Sequence, residues 1–176
     1  MEDGLLRQNE ILNRLSSMPR KILSLHGQEN ITEFVLHELC QKGCLNFEKA
    51  AYFVDNPDFN HLKGMSGYWR PEAYASQEDI WINPKSFSAY MQESPFNQKV
   101  RKFAHTSFRK NNESEEQVIQ LIAQGFEFGN PGYYSWDLKH DNHGFLVYEK
   151  QAQTGDSCSV DHVLNGLSLL AFCPIF

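Results

Sequence analysis

The sequence predicts an α+β protein, one domain over residues 1–176, with a small antiparallel sheet and several amphipathic helices. Three observations lead there. Apolar residues recur at helical spacing in several windows, and short β-rich runs fall between those windows. The two kinds alternate without a repeating βαβ unit. The composition, 41% hydrophobic and 22% charged, is that of an ordinary globular chain, with no repeat, low-complexity run or long linker.

Leu5, Leu6, Ile11, Leu12 and Leu15 make an apolar stripe and predict a helix from about Leu5 to Ser17. Pro19 is expected to end it, and Ile22 to Leu25 reads as a short strand. A second helix starts at Asn30, a capping residue, with Glu33 three positions on as in a capping box. Ile31, Val35, Leu36 and Leu39 share its inward arc, Glu33, His37 and Gln41 face away, and Gly43 is the stop. Phe47 to Val54 follows as a strand, closed by the Asn56-Pro57 turn signal.

Residues 56–79 are rich in Gly, Pro, Asn and aromatics and read as a long irregular loop with room for one strand. Asp79 to Asn83 is a short strand candidate. Asn83-Pro84 and Ser94-Pro95 each read as an N-cap with a first helical residue, giving helices over about 84–92 and 95–109. Ser114, with Gln117 three residues on, opens a helix through Val118, Leu121 and Ile122 that Gly125 stops. Two β-rich runs, 133–138 and 145–150, flank a polar turn and form a hairpin signature. A last helix, capped by Ser157 or Ser159, runs to about Leu170.

Charge narrows the function classes. Lys plus Arg number 16 against 22 Asp plus Glu, a net charge of −6. That excludes a nucleic-acid binder held by overall charge, because such binding rests on Lys and Arg neutralising phosphates. The acidic start at Glu2 and Asp3 lacks the basic and apolar regions of a secretory signal, so a cytoplasmic location is expected. The uncharged stretch after His162 is shorter than the ~20 residues of a spanning helix, so no membrane partner is expected. Its Leu169, Leu170, Phe172, Ile175 and Phe176 are expected to be buried, in the core or across a homo-oligomeric interface. The four cysteines, Cys40, Cys44, Cys158 and Cys173, read as reduced thiols acting as small hydrophobes.

Several groupings could carry chemistry. His37, Cys40, Cys44 and His61 have the donor types of a tetrahedral zinc site but lack a compact C-x₂-C knuckle. His140, Asp141 and His143 crowd one polar turn, where His140 and His143 could present imidazoles to a divalent metal. Between Lys99 and Lys110 the chain is basic and free of acids. On a helix, Phe96, Val100 and Phe103 would face inward while Lys99, Lys102 and Arg109 project outward as a weak, salt-sensitive contact for phosphate or nucleic acid. Tyr68, Trp69 and Arg70, in a Gly-flanked loop, form the expected ligand-binding surface.

Cys158 is the one cysteine with a reason to be reactive, since it falls near a helix start where the dipole favours a thiolate. His143 would be its base, with Asp141 or Asp161 orienting the ring. Asp156 and Asp161 oppose thiolate formation. The chain carries no P-loop, dinucleotide fingerprint, zincin or nucleophile-elbow motif, so no cofactor is named by its sequence. The leading expectation is therefore a non-catalytic module that binds a protein or small molecule through the aromatic loop and the basic face. The rival expectation is a thiol- or metal-dependent hydrolase using Cys158 with His140 and His143.

Overall fold

Why the middle of β1 (Phe47–Asn56), from Ala50 to Val54, reads as an apolar run without alternation becomes clear from its place in the sheet. In the computed structural model, which describes residues 2–25, 27–28, 30–151 and 168–170, it is the central strand and is covered on both faces. With β2 (His61–Trp69), β3 (Ala104–His105), β4 (Gly132–Asp137) and β5 (His143–Lys150) it forms an antiparallel sheet of order β3-β2-β1-β5-β4. Successive side chains of a strand point to opposite faces. Ala50, Tyr52 and Val54 accordingly enter one core, and Ala51 and Phe53 the other. The fold is α+β.

The first face is covered by α1 (Glu2–Ser24), α2 (Ile31–Cys40) and α3 (Pro84–Glu93); Leu169 and Leu170 are buried in the same core. The second face is covered by α4 (Pro95–Arg101) and α5 (Glu115–Gly125). The capping box of α5 is present in full: Gln117 N donates to Ser114 Oγ, and Ser114 N donates to Gln117 Oε1. Pro84 and Pro95 open their helices as expected.

Other expectations are corrected. Pro19 lies inside α1, which runs on to Ser24 and absorbs the strand expected at Ile22 to Leu25. Burial of Met18, Ile22 and Leu25 in line with Ile11 and Leu15 outweighs the hydrogen bond lost at the proline. Leu5, Leu6 and Leu12, placed in the apolar stripe, are exposed. Asn30 starts α2 with φ 65 and no side-chain cap. Asp79 to Asn83 is a turn held by the Asp79 carboxylate, which accepts from Trp81 N, and by the Asp79 carbonyl, which accepts from Ile82 N and Asn83 N.

The expected loop at 56–79 contains β2. Asn60, at φ 49, closes the tight β1–β2 turn with a bond from its N–H to Pro57 O. A β-bulge then shifts the register, so that Tyr52 pairs with Ser66 but Phe53 pairs with Gly64. One extra residue inverts the alternation beyond it. Ser66 and Tyr68 are thereby turned to the first face, while both Gly64 and Gly67 lie under α4 on the second. The helix comes close because neither glycine has a side chain; Asn97 Oδ1 accepts from Gly67 N.

The helix expected over 95–109 stops at Arg101. Gly64 N donates to Phe103 O, and residues 104 and 105 pair with β2 instead. Buried Asp55 draws in the next segment, accepting from Ser107 Oγ at 2.8 Å and Phe108 N at 3.2 Å. Arg109 is therefore separated from the helix that carries Lys99.

Candidate functional site: an aromatic wall with buried polar atoms

On the first face, β1, β5 and β4 present a row of stacked rings. Phe47 stacks on Tyr148 (4.4 Å between centroids), Tyr148 on Tyr134 (5.2 Å), and Tyr52 on Trp136 (5.6 Å, planes 4° apart). Two glycines let these rings lie flat. A side chain at Gly132 would collide with Tyr148, and one at Gly144 would collide with Trp136. Burial raises the Tyr148 hydroxyl pKa above its ordinary value, and contact with Tyr134 pushes the same way.

Ser66 Oγ and Trp136 Nε1 are buried in this apolar wall with no hydrogen-bond partner among the described residues. Ser66 stands opposite Tyr52 on β2, and the Trp136 indole stacks on the other side of that same tyrosine. A buried, unpaired polar group costs about 1–3 kcal/mol, and native structures leave few of them. Sequence reasoning places neither residue in a site. Trp136 looks like any core aromatic, and the bulge that turns Ser66 inward leaves no local signature.

A second polar cluster lies at the far end of the sheet on the second face. His143 Nδ1 is 2.9 Å from Asp137 Oδ1, and His143 Nε2 is 2.9 Å from Glu115 Oε1. Arg109 Nη2 donates to Asp137 Oδ1 at 2.7 Å and lies 2.8 Å from His143 Nδ1, while its Nη1 donates to the Asp141 carbonyl. Ser135 Oγ donates to Glu115 Oε2. Hydrogen bonds from His143 and Arg109 hold the Asp137 carboxyl below its ordinary pKa. Burial pushes Asp55, beside them on β1, the other way. Because both ring nitrogens of His143 are engaged, the ring could act as a base only after releasing one carboxylate.

The residues expected to act from sequence are thus dispersed. Tyr68 is buried on the first face, and its hydroxyl is pushed up to about 12, chiefly by desolvation. Trp69 is 37% exposed and packs on Phe96. Arg70 turns inward, pairing with Glu48 and donating to Asn46 Oδ1 and Phe47 O. Lys99 and Lys102 are exposed, with Lys99 Nζ over the Phe126 ring. Arg109 joins His143 rather than the lysines. His140 and Asp141 occupy the turn in left-handed conformations (φ 60 and 56). Cys158 and Asp161 lie outside the described residues.

Among the described residues no group of three or more His, Cys, Asp or Glu side chains is arranged to hold a metal ion. His37, expected to face solvent, is packed edge-on against Tyr68 and Phe87, and burial drives its imidazole pKa down to about 4. Cys40 and Cys44 are both buried, and burial raises the Cys40 pKa well above its ordinary value. Glu33, also expected outside, is buried and accepts from Asn97 Nδ2 and Arg101 Nη1. No described helix is long and apolar enough to cross a membrane.

No family model matches the sequence, and no curated protein sequence matches it. A solved structure, SdiA in complex with octanoyl-rac-glycerol, aligns with 88% of this chain at 14% identity and a TM-score of 0.41. This chain spans 61% of the length of that one. The likeness is too distant to carry an inference about ligand or activity.

Proposed function

We propose that the protein is a non-catalytic binding module that seats a small, largely apolar molecule on the first face of the sheet, against Tyr52, Tyr134 and Trp136. One observation carries the reading: Ser66 Oγ and Trp136 Nε1 are buried on one aromatic wall without hydrogen-bond partners among the described residues. Apolar surroundings with a few placed polar groups are the usual make-up of a small-molecule site. The β-bulge at Tyr52/Phe53 supports it, since bulges are a common means of re-aiming a side chain near a functional site. The binding surface expected around Trp69 loses its centre, because Tyr68 and Arg70 are turned inward. Trp69, Lys99 and Lys102 retain only a rim to which a partner could dock.

Titration with the apolar fluorophore N-phenyl-1-naphthylamine tests the reading. Saturable, near-stoichiometric fluorescence that falls when Tyr52 and Tyr134 are both changed to Ala supports it. If the folded wild-type protein shows no saturable binding, the two atoms meet only water and the reading is wrong.

A further inference from the structure

We propose that Gly144 is a specificity-determining residue of this site, and that the ligand it selects is uncharged and presents a hydrogen-bond acceptor such as a carbonyl oxygen. The inference rests on the binding reading above. Gly144 pairs with Trp136 across β5 and β4. A Cβ added at Gly144 would lie 2.8 Å from Trp136 Cε2, 3.0 Å from Cζ2 and 3.2 Å from Nε1. The nitrogen-bearing edge of the indole therefore rests on the bare backbone of β5. From there the ring reaches Tyr52, two strands from its own Cα, and stacks nearly parallel to it.

The backbone gives no reason for glycine at this position. Among the described glycines only Gly27 has a positive φ, so β5 would accept another residue at 144 without backbone strain. Glycine weakens a strand interior, so the position carries a small destabilisation that the resting place of Trp136 accounts for. An indole N–H donates and never accepts, so whatever completes Trp136 Nε1 must bring an acceptor. The Ser66 hydroxyl can donate or accept and tolerates either end of a polar group. Both are neutral dipoles among aromatic rings. An ion buried against these two groups would lose its hydration, and neither group carries an opposite charge to compensate, so the pair selects a neutral ligand.

The test compares 2-octanone, an acceptor, with octylammonium, a charged donor, by displacement of N-phenyl-1-naphthylamine. Wild-type protein should bind the ketone and reject the ammonium. Its Trp136 indole N–H resonance should shift as the ketone is added. Gly144→Ala should weaken ketone binding about tenfold more than it weakens fluorophore binding, the excess being roughly one neutral hydrogen bond. Trp136→Phe, which keeps the glycine and removes the donor, should show the same excess loss of ketone over fluorophore binding and serves if Gly144→Ala fails to fold. Equal ketone affinity in either folded variant, or an unmoved indole resonance, overturns the inference. Equal ketone and ammonium binding by a wild-type protein that still takes the fluorophore sinks this inference alone. Failure of the fluorophore to bind wild-type protein sinks the site itself.

Discussion

His143 Nε2 stands 2.9 Å from Glu115 Oε1, so one imidazole at the start of β5 ties the hairpin to the first turn of α5. Its other nitrogen meets Asp137 on β4, and the ring packs between Phe108 and Phe145. Each partner comes from a different element, so the cluster joins parts of the second face that are distant in sequence.

Asp137 reports on that cluster. Its folded pKa is depressed, so its contribution to stability is present above the unfolded pKa and is lost as pH falls through the folded value. Replacing His143 with Phe keeps a ring between Phe108 and Phe145 but removes the largest cause of the shift. Carboxyl titration followed by NMR should then show Asp137 moving back up toward 3.8, with Arg109 retaining part of the effect. An unchanged titration would show that His143 does not hold this carboxylate.

Glu33 has the opposite sign. Burial raises its folded pKa above 4.5, despite hydrogen bonds from Asn97 and Arg101 that pull it down, and its Oε2 has no hydrogen-bond partner among the described residues. The folded state thus binds more protons than the unfolded state between the two values. Stability from this group is full below the unfolded pKa and is lost as pH rises through the folded one. Glu33→Gln should remove that slope from urea-unfolding free energies measured across the window. Asp55, raised by burial as well, leaves its own slope in both proteins. Parallel curves for wild type and variant would refute the assignment.

Gly64 and Gly67 separate backbone from side-chain crowding. A Cβ at Gly64 would overlap the Val100 carbonyl oxygen, which cannot move without shifting α4. One at Gly67 meets side-chain atoms of Val100 and Phe96, which can rotate. Overpacking costs about 1–3 kcal/mol, so Gly67→Ala should fall in that range and Gly64→Ala beyond it. The thermal midpoints should rank wild type, Gly67→Ala, then Gly64→Ala. A Gly64→Ala protein as stable as Gly67→Ala would mean that α4 does not seat so closely on β2.

Much of the architecture is written in short stretches. The Ser114 capping box, the Pro84 and Pro95 helix starts and the β4–β5 hairpin each depend on residues a few positions apart, and each is present. The errors have a shared cause. Assigning Glu33 and His37 to solvent assumed that α2 has one covered face, but both residues are covered: Tyr68 on β2 and Phe87 on α3 meet His37, while Asn97 and Arg101 on α4 meet Glu33. Arg109 was placed with Lys99 on one long helix, whereas Asp55, more than fifty residues earlier in the chain, binds Ser107 and redirects that segment.

By itself, then, the sequence determined the α+β class, the starts of three helices and the hairpin that carries His143, because capping, proline geometry and turn chemistry act within a few residues. Only the tertiary structure decided the candidate site. It depends on Tyr52 pairing with Ser66 after a one-residue bulge, and on Trp136 crossing Gly144 to reach Tyr52. Register between strands is a property of two segments at once, and a shift of one residue exchanges the faces. No single stretch of this chain records which side of the sheet Ser66 will meet.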